Sequence, residues 1–161
     1  MLPNIKMKPR IYIDTSLIGG CFDSEFEEWS NKLFDDFKNG RKIAVISDIT
    51  LDELEEAPVK VRNVIYTIPE QYIEVITSNQ DSEHLADLYI NEGAVTRKFY
   101  EDALHIAIAT IDQISVLASW NFKHIVNLDR IRLYNAVNLK NGYSMLEIRS
   151  PREILKTGDD E

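Results

Sequence analysis

The chain has 161 residues, and 18 Lys plus Arg stand against 27 Asp plus Glu for a formal charge of −9, which argues against broad electrostatic adhesion to nucleic acid or an anionic membrane. That length fits one domain able to bury roughly 70% of the surface its unfolded form exposes, so no covalent staple is needed. Cys21 is the single cysteine and excludes an internal disulfide, no apolar stretch approaches the roughly 20 residues of a membrane span, and Met1 to Arg10 lacks the apolar centre of a signal peptide, so a cytoplasmic protein is expected.

In chain order, Ile11 to Ile13 is an apolar run that predicts a first buried strand, closed by Asp14. Gly19-Gly20 marks a turn. Phe26, Trp29, Leu33, Phe34 and Phe37 recur at helical spacing in a helix from about Ser24 to Lys38, with Asn39-Gly40 as its stop. Lys42 to Ser47 is the second strand, Thr50 to Glu56 a helix that ends before Pro58, Val59 to Thr67 another helix, and Tyr72 to Ile76 a short strand. Asp81 to Asn91 and Thr96 to Ile114 are the next helices, joined by Glu92-Gly93-Ala94-Val95. Ser115 to Ser119 is short, apolar and follows a helix directly, as a central parallel strand does. Leu128 to Leu139 is a helix ended by Asn141-Gly142, Leu146 to Arg149 an edge strand, and Pro151 opens a final helical turn before an acidic tail, Thr157 to Glu161, expected to fray. Strands alternate with helices, and no repeat, low-complexity tract or linker divides the chain. The prediction is an α/β fold in one domain over residues 1–161.

Three acids sit where a strand ends or a helix begins: Asp14, Glu53 and Asp102. In an open α/β sheet the carboxyl ends of the strands form the accessible rim, and acids gathered there repel one another unless a hard cation such as Mg2+ or Mn2+ neutralises them. Each acid also has a purely structural reading. Asp14 could cap the next turn, Thr50-Leu51-Asp52-Glu53 has the form of a capping box, and Asp102 suits the positive end of a helix dipole. Against these readings, a carboxylate closing an apolar strand is costly to bury alone, and Asp102 shares a helical face with Ile106 and Ala109. His105 could pair with Asp102 as Asp-x-x-His, although a packed, hydrogen-bonded core residue is the plainer reading, and His84, His105, His124 and Cys21 lack the spacing of a zinc site. No G-x-S-x-G, P-loop or G-x-G-x-x-G motif occurs.

Taken in order, IYIDTSLIGG, SDITLDELEEA, YEDALHIAIAT and LASWNFKHIVN resemble the PIN-domain family, whose bacterial and archaeal members include VapC-like toxins, and the likeness spans about residues 10 to 155. The resemblance implies a three-layer α/β/α sandwich around a mostly parallel sheet, and cleavage of RNA with Mg2+ or Mn2+ held by Asp14, Glu53 and Asp102. Many members place a fourth acid after the fourth strand. Asn121 stands there instead and offers one neutral oxygen, so a second ion should bind more weakly. Ser16 is expected to support Asp14 or a metal-bound water. Trp120 and Phe122 are open to base stacking or to core packing, with packing favoured, while Lys123 and His124 are placed for phosphate. The activity implied is that of an endoribonuclease, and a toxin role would add a small antitoxin partner and a homodimeric assembly. One rival is a PIN-like RNA- or protein-binding regulatory module without turnover. Another is a metal-dependent phosphatase or DNA nuclease.

Overall fold

The apolar runs become five strands: β1 (Arg10–Ile13), β2 (Ile43–Ser47), β3 (Ile73–Ile76), β4 (Val116–Ala118) and β5 (Glu147–Arg149). In the computed structural model, which describes residues 8–159 and the side chains of residues 8–155, they form one sheet in the order β3-β2-β1-β4-β5. Every pairing is parallel, so the sheet expected to be mostly parallel is wholly so. Successive side chains point to opposite faces of a strand. Ile11 and Ile13 therefore join Ala44, Ile46 and Ala118 in one core, while Tyr12 joins Val45, Leu117 and Ile148 in the other. Burial on both faces explains why the central strands β1, β2 and β4 read as apolar runs.

The helices among the described residues are α1 (Thr15–Gly19), α2 (Glu27–Lys38), α3 (Asp48–Glu55), α4 (Val59–Arg62), α5 (Gln80–Asn91), α6 (Tyr100–Ile111), α7 (Leu128–Lys140) and α8 (Pro151–Asp159). Leu85 and Tyr89 of α5, Ile106 and Ala107 of α6, and Tyr134 and Val137 of α7 cover the Tyr12 face. Leu17, Leu33, Phe34, Phe37, Leu54 and Val61, from α1 to α4, cover the other, and Ile154 and Leu155 of α8 pack against that core. The result is a three-layer α/β/α sandwich. No helix among the described residues is long and apolar enough to cross a membrane.

Several boundaries differ from the sequence reading, each for a local reason. Gly19-Gly20 is not a turn between elements, because α1 runs to Gly19 and passes into a 3-10 turn over Gly20–Phe22. Gly20 is required by close packing: a Cβ there would lie 2.6 Å from Ser30 Oγ and 2.8 Å from Trp120 Nε1. α3 begins at Asp48, since Ser47 and Thr50 form its capping box; the expected box ending at Glu53 does not exist. The segment expected as one helix over Thr96 to Ile114 divides into a 3-10 turn, Arg97–Phe99, and α6, and Gln113 with φ 54° takes the chain out of the helix. Helix α8 continues to Asp159 where fraying from Thr157 was expected. Asp160 and Glu161, the end of that tail, and Met1 to Met7 lie outside the described residues.

The strand order positions the site. From β1 the chain builds β2 and β3 to one side, then returns to lay β4 and β5 on the other. The carboxyl ends of β1 and β4 thus flank the point where winding reverses, the usual ligand crevice of an open α/β sheet.

Candidate active site

Asp14 leaves the end of β1 and caps α1. Its Oδ1 accepts the Leu17 N–H at 3.1 Å and the Ser16 hydroxyl at 2.7 Å, and its Oδ2 accepts the Ser119 hydroxyl, from the end of β4, at 2.5 Å. The cap and the crevice carboxylate are one group. Burial raises its pKa, against the pull of the Ser119 bond, the His105 charge and the Ser16 bond.

Glu53 projects from α3, and because Ser47 and Thr50 cap that helix its carboxylate is free for another partner. The partner is His105 of α6: Nε2 lies 2.5 Å from Glu53 Oε1. The other ring nitrogen, Nδ1, lies 2.6 Å from the Tyr12 hydroxyl, which is 2.7 Å from Ser47 Oγ. Burial opposes the Glu53 charge, but the hydrogen bond and charge of His105 outweigh it and hold the carboxyl below its ordinary range. For His105, burial opposes a charged ring, and the electrostatic pull of Tyr12, then the bond and charge of Glu53 and the charge of Asp14, prevail and raise its pKa. The core reading of His105 holds, and the same ring also links the acids.

Asp102, in the first turn of α6, borders a cavity lined by Lys98, Phe99, Tyr100 and Glu101. No hydrogen-bond donor among the described residues reaches its carboxylate, which is perturbed by burial and charge alone. Burial raises its pKa, Asp14 and Glu53 add to the rise, and His105 and His124 oppose it. Asp14 and Glu53 therefore both act on Asp102, from two other elements. They do not fit a divalent ion as they stand, since among the described residues no three of Asp, Glu, His and Cys are grouped to hold one.

The remaining predicted residues follow the carboxyl ends of β1 and β4. Ser16 donates to Asp14 and accepts the Trp120 N–H at 3.0 Å, tying the end of β4 to α1. Asn121 Oδ1 accepts the His124 N–H at 3.0 Å, so its oxygen serves a turn. Trp120 is 8% exposed, stacks on Phe26 with centroids 4.4 Å apart and donates its indole N–H to Ser30 at 2.8 Å. These are the contacts of core packing, the favoured of its two readings; Phe122, 48% exposed, is the aromatic left at the surface. Lys123 is exposed, and the His124 ring stacks on Phe99 at 3.6 Å with Nδ1 lacking a hydrogen-bond partner. Sequence reasoning missed Tyr12, Ser47 and Ser119. Their only signal is a hydroxyl inside or at the end of an apolar strand.

No protein-family model and no curated protein matches the chain in sequence. In structure it is similar to VapC20 of Mycobacterium tuberculosis, described as a sarcin-ricin loop cleaving toxin, at 14% identity and TM-score 0.54 over 71% of this chain and 92% of that one. It is also similar to VapBC2 from Rickettsia felis, solved with a DNA fragment from its promoter, at 14% identity and TM-score 0.56 over 88% of this chain and 98% of that one. The strand order, the three layers and these two likenesses identify the fold as the PIN-like α/β/α sandwich that the four sequence stretches resemble.

Proposed function

We propose that the chain is an endoribonuclease cleaving RNA phosphodiester bonds, with Asp14, Glu53 and Asp102 as its acidic residues and Mg2+ or Mn2+ required for activity. One observation carries this reading: the carboxylates of Asp14 and Glu53, from two other elements, both raise the pKa of Asp102 beside the topological switch point of the sheet. Gathering anions in a partly buried crevice destabilises a fold, and such placement is characteristic of sites that handle charge. Asp14 is fixed by three hydrogen bonds, Glu53 is held by His105 through one oxygen, and Asp102 accepts no hydrogen bond from the described residues. Because the acids do not converge on one ion in this arrangement, no catalytic step is assigned to the metal. Lys123 and His124, which follow β4, are the groups proposed to meet the phosphate backbone. A toxin role in the cytoplasm, an antitoxin covering the crevice and a homodimeric assembly belong to the same proposal.

The test is incubation of the chain with single-stranded RNA, single-stranded DNA and a phosphomonoester, each in Mn2+, in Mg2+ and in EDTA. Cleavage of RNA alone, only with an ion present, is expected. Asp14→Asn should lower the rate at least about 100-fold, the loss that corresponds to roughly 2.7 kcal/mol of charge stabilisation. Undiminished cleavage by that variant would remove Asp14 from the chemistry. The commitment of Glu53 to His105 and of Asn121 to a turn favours a second reading, a PIN-like module that binds RNA or protein without turnover. It requires RNA retention with no product in any ion.

A further inference from the structure

His105 is 2% exposed and both of its ring nitrogens are engaged, one by Glu53 at 2.5 Å and the other by Tyr12 at 2.6 Å. The arrangement is satisfied in either protonation state. A neutral ring donates from Nε2 and accepts the Tyr12 hydroxyl at Nδ1, while a charged ring donates from both and Tyr12 passes its proton towards Ser47. Tyr12 is itself immobile, fully buried in a central strand and bonded to the Ser47 hydroxyl, which caps the helix that carries Glu53. The chain from Ser47 through Tyr12 and His105 to Glu53 therefore closes on itself through α3, and it sets where the Glu53 carboxylate stands.

The other two acids are held differently. Asp14 is fixed by Ser16, Leu17 and Ser119, and Asp102 is held by no hydrogen bond among the described residues. None of the ion pairs that Lys or Arg forms among the described residues involves Asp14, Glu53 or Asp102. Of the three acids, Glu53 alone is held by another ionisable side chain, the imidazole of His105; Asp14 is held by hydroxyls and a backbone N–H.

We propose that His105, anchored by Tyr12, is a positioning residue that latches Glu53 onto itself, so that a divalent ion shared with Asp14 and Asp102 must compete with the imidazole for the Glu53 carboxylate. This rests on the nuclease reading for its biological meaning, and it accounts for three acids that share one crevice without forming an ion site. A charge-assisted bond is among the stronger polar contacts in a protein, so the latch lowers metal affinity by a measurable factor.

The test is calorimetric titration of the whole chain with MnCl2, together with melting in EDTA and in millimolar Mn2+. His105→Asn should bind Mn2+ at least about tenfold more tightly than wild type, because an amide holds Glu53 more weakly than an imidazole does. Tyr12→Phe should tighten binding by a smaller factor, since the ring keeps Glu53 but loses its anchor. In both variants the Mn2+-dependent rise in Tm should exceed that of wild type. Adding Glu53→Gln to His105→Asn should abolish the gain. General structural damage weakens binding, so a gain is not its signature. Equal or weaker Mn2+ affinity in His105→Asn overturns the latch, as does a gain that survives Glu53→Gln. Should His105→Asn fail to fold, unchanged affinity in Tyr12→Phe overturns it. RNA cleavage is scored separately: tighter Mn2+ binding without cleavage leaves the latch standing and removes the nuclease reading.

Discussion

Asp102 and Asp36 are two partly or wholly buried carboxylates with opposite shifts, and they make opposite predictions. The pKa of Asp102 is raised, first by burial and then by Asp14 and Glu53, so the fold disfavours its charged form at neutral pH. Asp102→Asn should therefore stabilise the protein in EDTA by about 1 kcal/mol, or roughly 3 °C in Tm, despite losing a helix-dipole contact. A lower Tm would make Asp102 a dipole partner instead. For Asp36, burial works against the charge, but bonds from Lys42 and from Arg41 at 2.8 Å outweigh it and lower the pKa below 3.8. Such a group adds stability above its unfolded pKa and loses it as pH falls through the folded value. Asp36→Asn should cost about 2 kcal/mol at pH 7, with the two proteins converging as the pH drops below about 4 in urea titrations.

Element joints depend on residues that neighbouring segments cannot replace. Gly40 follows α2 with φ at +73°, and a Cβ there would overlap the Tyr72 ring. Gly40→Ala therefore combines left-handed strain with overlap against the residue that leads into β3. A loss of about 2 kcal/mol is expected, read as a lower urea midpoint at unchanged slope. On the opposite face, Asn135 of α7 brackets Leu146: its amide donates to the Leu146 carbonyl at 3.2 Å and its oxygen accepts the Leu146 N–H at 2.8 Å. These bonds set the entry of the chain into edge strand β5. Asn135→Ala leaves both Leu146 groups unpaired, so a loss of about 1 to 3 kcal/mol is expected, with faster amide exchange over residues 146–149 than over β1.

At the scale of the whole molecule, a formal charge of −9 leaves few cations for a phosphate backbone. If RNA is the substrate, binding must lean on contacts beside the crevice and not on a broad basic face. For single strands the salt slope is about −0.7 per neutralised phosphate, so two contacts would cost roughly sevenfold in affinity between 50 and 200 mM salt. Fluorescence titration of Asp14→Asn with an RNA oligonucleotide should show that shallow dependence, and a loss of a thousandfold would reveal a basic surface not recognised in this fold.

The sequence by itself determined the alternation of strands and helices, because strands buried on both faces must be apolar throughout and helices must carry an apolar stripe. It also showed acids at the ends of those elements, since residue type and element boundary are both local. Tertiary structure alone decided what each acid touches. Glu53 meets His105 across 52 positions, Tyr12 meets His105 across 93, and Asp14 meets Ser119 across 105. No local pattern encodes those pairings. They follow from the order β3-β2-β1-β4-β5, which lays β4 beside β1 long after β1 has been made and brings α6 over the same face. The same cause hid which ring Trp120 packs on, Phe26, and the close approach at Gly20: both are set by which surfaces the sheet forces together.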